Sequence, residues 1–295
     1  MASLRRNIHH ALSASNQCCL TRRSTGPATA GGVSLPRSGF ATVARQAYTA
    51  CLRGPVSSNV RLHKYTVRYI LWDFDGTLAE RPGMWSQCLA DVANEFIGAA
   101  LYQRESFVPH LSSGFPWHRP DIGHPELVDP LAWWSALAPT LSEAMSKGAN
   151  LPRSQTSELV WRVRTEYVNP RRWRIFTDTT DALKQLSANG WRHVILSNHV
   201  PELPTLVHAL GIGSHFEQIH TSAIIGYEKP NPMCFQAALE HLPPGAEVTM
   251  VGDNYPADIL GAQAVGLKAV LVRKPHPTTE AVQSLVNLAA VLGEA

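Results

Sequence analysis

The chain has 295 residues, 44% of them hydrophobic and 17% charged, which excludes a collagen, a disordered tail protein and a disulfide scaffold and suffices for one large or two modest domains. No run approaches the roughly 18 apolar residues of a membrane-spanning helix. The net charge of +3 conceals a division: residues 1–72 hold ten Lys or Arg and no acid, and all 23 acidic residues lie at or after Asp73, against 16 basic ones. A basic arm therefore precedes an acidic body, and the overall charge carries no argument for nucleic-acid binding by that body.

Residues 1–66 are rich in Ser, Ala, Thr, Gly and Arg, with no sustained apolar periodicity. An acid-free, Arg- and Ser-rich start is similar to an organellar transit peptide, and it lacks the apolar stretch of a secretory signal. A dispensable disordered arm, or an over-extended start, is the reading preferred for this composition. An arm for nucleic acid or an acidic surface would want aromatic interleaving, which is missing. The expected location is cytoplasmic, or the mitochondrial matrix if the arm is a transit peptide. Three of the five cysteines, Cys18, Cys19 and Cys51, fall in the arm; with Cys88 and Cys234 they give an odd total and no CxxC spacing, so a zinc site or disulfide framework is not expected.

From residue 67 the texture changes. Val67 to Trp72 is a continuous apolar run that predicts a buried strand, and Asp73-Phe74-Asp75-Gly76-Thr77 follows at its end. Trp85, Leu89, Val92, Phe96 and Ile97 repeat at helical spacing within 84–101. Residues 103–130 carry five prolines and read as loop, and two helical stretches follow at about 130–147 and 153–168. Then strand and helix alternate: a helix over 178–188 ended by Gly190, a strand over 193–196, a helix over 201–210, a strand over 217–221, a helix over 232–241, a strand over 247–251, a helix over 257–265, a strand over 269–272 and a final helix over 278–292. The fold class this predicts is α/β: a parallel sheet wrapped by helices. Residues 80–170 interrupt the alternation after the first strand and are expected to form an inserted helical domain, with 67–79 and 171–295 as the core.

In an open parallel sheet, ligands bind beyond the carboxyl ends of the strands. Four polar groups fall there: Asp73 and Asp75; Ser197-Asn198; Lys229 before Pro230; and Gly252-Asp253, with Asp258 five residues on. Clustered carboxylates repel, and a hard divalent cation among them relieves that repulsion. One or two carboxylates with phosphate oxygens and water is the usual Mg²⁺ arrangement, and a Lys and a Ser would bind the remaining phosphate oxygens. Two aspartates two residues apart can divide the labour, one attacking and one handling protons.

This set resembles the haloacid dehalogenase (HAD) superfamily of phosphohydrolases, over about residues 68–275. Asp73-Phe74-Asp75-Gly76-Thr77 is similar to its DxDGT signature, and Ser197-Asn198, Lys229 and Gly252-Asp253 follow in the family's order. The resemblance implies a Rossmann-like core with an α-helical cap, as in the phosphoglycolate phosphatase branch. It implies Asp73 as nucleophile and metal ligand, and Asp75 as acid and base with its backbone carbonyl on Mg²⁺. Asp253 is implied as the second carboxylate ligand, Asp258 as an accessory acid, and Ser197, Asn198 and Lys229 as substrate binders. The expected partner is a small phosphorylated metabolite, such as phosphoglycolate, a sugar phosphate or a nucleoside monophosphate, with no nucleic acid and no membrane; composition says nothing of oligomeric state. Asp75 argues against a haloacid dehalogenase, whose members lack the second aspartate. A phosphomutase and a non-catalytic protein of the same fold remain alternatives. Within the expected cap, Arg81, Trp117-His118-Arg119, His124 and Trp133-Trp134 make a candidate aromatic and cationic lid, although adjacent tryptophans on a helix more often pack. His199, beside the second motif, reads either as a substrate contact or as a surface or capping histidine.

Overall fold

A computed structural model describes residues 66–293. The expectations for the basic arm, Thr66 apart, and for Cys18, Cys19 and Cys51 lie outside the described residues. Within them, no helix is long and apolar enough to cross a membrane.

β1 (Arg68–Trp72) is the middle strand of the sheet. Its Ile70, Leu71 and Trp72 are wholly enclosed, as expected of a strand covered on both faces. Beyond Trp72 the chain makes a tight turn in which the Phe74 carbonyl accepts from the Thr77, Leu78 and Ala79 amides. β2 (Ala79–Glu80) leads out of that turn. The helical insertion follows: α1 (Met84–Ile97), a stretch of single 3₁₀ turns, α2 (Pro130–Ala149) and α3 (Arg153–Tyr167). Asp129 caps α2 by accepting from the Ala132 amide, and Pro130 occupies the first helical position, where no amide hydrogen is needed. Trp85, Leu89 and Val92 of α1 are buried together with Leu137, Leu141 and Met145 of α2 and Leu159, Val160 and Val163 of α3. β3 (Arg174–Ile175) pairs antiparallel with β2, so the insertion leaves and rejoins the core at one two-stranded ribbon.

The alternation then runs through α4 (Thr179–Ala188), β4 (Trp191–Ser197), α5 (Leu203–Ala209), β5 (Gln218–Thr221), α6 (Ser222–Ile225), α7 (Pro232–Leu239), β6 (Glu247–Gly252), α8 (Gly261–Ala264), β7 (Lys268–Leu271) and α9 (Leu288–Leu292). The five core strands are parallel, in the order β5-β4-β1-β6-β7. Tyr69 and Leu71 face one layer of helices with Val194, Leu196, Met250 and Phe235, and Ile70 and Trp72 face the other with Ile195, Val251 and Leu183. Trp72 is in register with Ile195 and Val251, so the residues just past these positions, Asp73, Ser197 and Asp253, emerge at the same edge.

Two stretches depart from the sequence reading. Residues 255–260 form a π-helical turn before α8, where a single helix over 257–265 is expected. The helix expected over 278–292 is helical only from Leu285. Pro275 and Pro277 remove two amide donors just before it, and Val282 is drawn onto the end of the sheet, donating to the Leu271 carbonyl and accepting from the Arg273 amide. Asp178 then takes the Ser284 hydroxyl and the Leu285 amide on Oδ2, which sets the helix start late.

Candidate active site

The β1 turn, the ends of β4 and β6, and the loops before α7 and after β7 bound a cavity of about 260 Å³. Asp73, at the end of β1, accepts on Oδ1 from Ser197 Oγ at 2.8 Å and from Lys229 Nζ at 2.9 Å. Its Oδ2 takes no hydrogen bond among the described residues. Asn198 also lines the cavity. Its side chain donates to the Lys229 carbonyl at 2.9 Å and accepts from the Lys229 amide at 2.7 Å, fixing the loop that carries the lysine.

The Lys229 ammonium also lies 2.6 Å from Asp258 Oδ1, and the other Asp258 oxygen accepts from the Asn254 amide at 2.9 Å. Burial alone would lower the Lys229 pKa, but Asp258 and Asp73 together hold it above the ordinary lysine range. Burial pushes the Asp258 carboxyl up to about 7 even with Lys229 beside it. Asp253, past β6, is buried with Oδ2 2.5 Å from Lys274 Nζ; burial and the Asp73 charge raise its pKa. Asp75 is raised well above the carboxylate range, first by burial and then by Asp73 and Asp253.

Two glycines make this crowding possible. A Cβ on Gly76, whose φ is +79°, would stand 2.2 Å from Asp253 Oδ2, and one on Gly252 would stand 2.1 Å from Asp258 Oδ2. Arg273 braces the β1 turn from the loop after β7, with Nε 2.6 Å from the Thr77 carbonyl and Nη2 2.8 Å from Asp178.

The donor set suits a hard divalent cation. Oxygens of the buried Asp73, Asp253 and Asp258 lie within 4.8 Å of one another. Both Asp258 oxygens already have partners, which leaves Asp73 and Asp253 as the carboxylates open to an ion. The Asp75 backbone carbonyl accepts no hydrogen bond among the described residues, so it too is open.

The insertion supplies the opposite wall through Met84, Trp85, Trp117 and Tyr167. None of these four except Trp117 belonged to the lid anticipated from the sequence. Arg81 is buried, but its guanidinium serves the Met84 carbonyl, Asp91 and Glu166. Arg119, His124 and Trp133 line a separate cavity of about 270 Å³ that shares no lining residue with the first. Trp134 is buried and donates to Glu202, 3.1 Å away. His199 is neither a surface nor a helix-capping residue. It is enclosed among Phe74, Tyr167 and Trp173, its Nε2 3.7 Å from Asp75 Oδ1, and burial lowers its pKa to about 4. Lys274, Met84, Trp85 and Tyr167 were missed in the sequence. No motif spacing marks them, and Lys274 carried only the weak signal of a lysine shortly after a strand.

The haloacid dehalogenase-like hydrolase domain-containing protein 3 of Danio rerio is 27% identical over 237 residues, 77% of this chain and 96% of that protein. The glyceraldehyde 3-phosphate phosphatase of Methanothermobacter thermautotrophicus is 37% identical over 102 residues, 34% of this chain and 45% of that one. Among solved structures, the magnesium-bound HAD-hydrolase YfnB of Bacillus subtilis superposes with a TM-score of 0.56 at 18% identity, covering 77% of this chain and 99% of that chain, which is a likeness of fold. Residues 67–266 match the haloacid dehalogenase-like hydrolases, and the chain is an enzyme belonging to that family.

Proposed function

We propose that the protein is a Mg²⁺-dependent phosphatase of small phosphomonoesters that works through a phosphorylated Asp73. The observation that carries this reading is the asymmetric hold on Asp73. Ser197 and Lys229 occupy Oδ1 of this cavity-lining residue and leave Oδ2 without a hydrogen bond among the described residues, while two residues away Asp75 has its pKa raised. One carboxylate is thus poised to attack and its neighbour to carry a proton, a separation of roles by environment.

In the first step Asp73 Oδ2 attacks phosphorus, the bond from phosphorus to the ester oxygen breaks, and Asp75 gives its proton to the departing alkoxide. In the second, Asp75, now ionised, accepts a proton from water. The resulting hydroxide attacks phosphorus and the bond to Asp73 breaks, releasing phosphate and restoring both groups. Lys229 and Ser197 hold the phosphoryl oxygens in place. Asp73, Asp253 and the Asp75 carbonyl would hold Mg²⁺, which when bound supplies positive charge against the phosphoryl oxygens. Relatives bearing phosphatase names support the reaction class.

The test is hydrolysis of p-nitrophenyl phosphate with Mg²⁺ and after chelation. The wild type should turn over only with the metal, and Asp73→Asn, isosteric but unable to attack, should not turn over at all. Retained hydrolysis in Asp73→Asn would remove the nucleophile assignment.

A further inference from the structure

We propose that the leaving group accepted by this site is uncharged and presents an apolar or aromatic face, so that phosphate esters of plain alcohols and phenols are preferred to those of hydroxy acids, amino acids or second phosphates. This rests on the phosphatase reading and adds to it the class of substrate.

The phosphoryl group occupies the core side of the cavity, against Asp73, Ser197 and Lys229. Whatever alcohol it is attached to must meet the wall contributed by the insertion: Met84, Trp85, Trp117 and Tyr167. No side chain of that wall is charged. Several cations near it in sequence are engaged elsewhere. Arg81 is 2% exposed and bound to the Met84 carbonyl at 3.0 Å, to Asp91 at 3.4 Å and to Glu166 at 3.6 Å. Arg119 and His124 line the other cavity, with His124 paired to the buried Glu228 at 3.2 Å. Arg164 is 2.7 Å from Glu202, and Arg172 is 2.5 Å from Glu166. On the core side, Lys229 serves Asp73 and Asp258, and Lys274 serves Asp253.

A carboxylate or second phosphate on the leaving group would give up its hydration against this wall without gaining a counter-ion from it. It would also enter a cavity whose lining holds four aspartates, Asp73, Asp75, Asp253 and Asp258, beside Lys229 and Lys274. A neutral carbon skeleton meets a thioether and indole and phenol rings instead, where contact is favourable.

The wall is rigid enough to impose this choice. Met84 holds a left-handed backbone at φ 46°, uncommon for a residue with a side chain, and Arg81 clasps its carbonyl. Trp85 stacks on Tyr167 with ring centres 3.9 Å apart, and Trp117 stacks on Phe115 at 4.7 Å. The Tyr167 hydroxyl has no hydrogen-bond partner among the described residues, which leaves one neutral polar contact for a hydroxyl or carbonyl.

The test compares kcat/KM in the presence of Mg²⁺ for butyl phosphate and 4-(phosphonooxy)butanoate, which differ in a terminal carboxylate, with p-nitrophenyl phosphate as a report of phosphoryl transfer itself. Butyl phosphate should be favoured by about tenfold or more. Met84→Lys, which places an ammonium on the wall, should shrink or reverse that preference, and Trp117→Ala should raise KM for butyl phosphate. Equal or faster hydrolysis of the carboxylated ester by the wild type, or a preference unmoved by Met84→Lys in folded protein, would overturn the inference while p-nitrophenyl phosphate turnover left the phosphatase reading standing. Failure to hydrolyse p-nitrophenyl phosphate as well would take down both.

Discussion

Lys229 Nζ stands 2.6 Å from Asp258 Oδ1 and 2.9 Å from Asp73 Oδ1, all three side chains being enclosed. A single ammonium thus ties the loop before α7 to the end of β1 and to the turn after β6. Removing it leaves two buried carboxylates facing each other, and breaking a buried pair from one side costs about 3–5 kcal/mol. Lys229→Met should therefore unfold at a clearly lower urea concentration, whereas Asp258→Asn, which keeps a hydrogen-bonding partner for the lysine, should lose less. Coincident unfolding curves for wild type and Lys229→Met would contradict the pairing.

Lys274 holds Asp253 Oδ2 in the place where a divalent ion would draw on the same carboxylate. Its side chain is 67% exposed, so the pair is worth at most about 1 kcal/mol. Lys274→Met should bind Mg²⁺ about two- to fivefold more tightly by isothermal titration calorimetry. Weaker binding in the variant would show that the lysine supports the metal site.

His193, inside β4, sets an acid limit on stability. Trp72 Nε1 donates to its Nδ1 at 3.0 Å, so the ring proton sits on Nε2, facing Ser187 Oγ at 3.0 Å. A second proton on Nδ1 would oppose the indole N–H, and burial lowers the pKa to about 4 from an ordinary 6.5. Between those values the unfolded chain binds the proton and the folded one does not, so stability falls as pH drops from about 6.5 towards 4, by up to about 1.4 kcal/mol per pH unit for this residue. His193→Gln should flatten that part of a plot of Tm against pH, and an unchanged slope would dismiss the residue as a contributor.

The legible part of this site is the part tied to strand ends. Asp73, Ser197 and Asp253 each follow an apolar run closely, and parallel register brings such positions to one edge, so sequence order translated directly into proximity. Lys229 was legible through its place between strand and helix. The opposite wall was not legible. Met84 and Trp117 are 33 residues apart in a stretch with no common period, and which side of a helical insertion turns to the core depends on packing among three helices. Arg81 and Arg119 illustrate the same limit, since a cation near a site in sequence was taken up by Asp91 and Glu166 in one case and by another cavity in the other. The tail from 278 was misread because Ala281, Leu285, Leu288 and Leu292 lie at helical spacing, while the hydrogen bonds of Val282 to β7 and of Ser284 to Asp178 are long-range and outweigh it.

Asp75→Asn separates acid catalysis from attack. On the proposed mechanism an alkoxide needs the Asp75 proton and a nitrophenolate scarcely does, and general acid–base help is typically worth about 10²–10⁴-fold. The variant should lose alkyl phosphate hydrolysis by about that factor and keep much of the first step with p-nitrophenyl phosphate, seen as a burst of nitrophenolate. Equal losses on both substrates would argue against the proton-transfer role.

The most direct measurement is the mass of Asp75→Asn protein quenched within milliseconds of mixing with p-nitrophenyl phosphate and Mg²⁺, followed by peptide mapping. One phosphoryl group should be found on the peptide containing Asp73, because on the proposed mechanism the variant can still be phosphorylated but lacks the base that activates water. A fully unmodified peptide during a burst of nitrophenolate, or a phosphoryl group on any other residue, would contradict nucleophilic attack by Asp73.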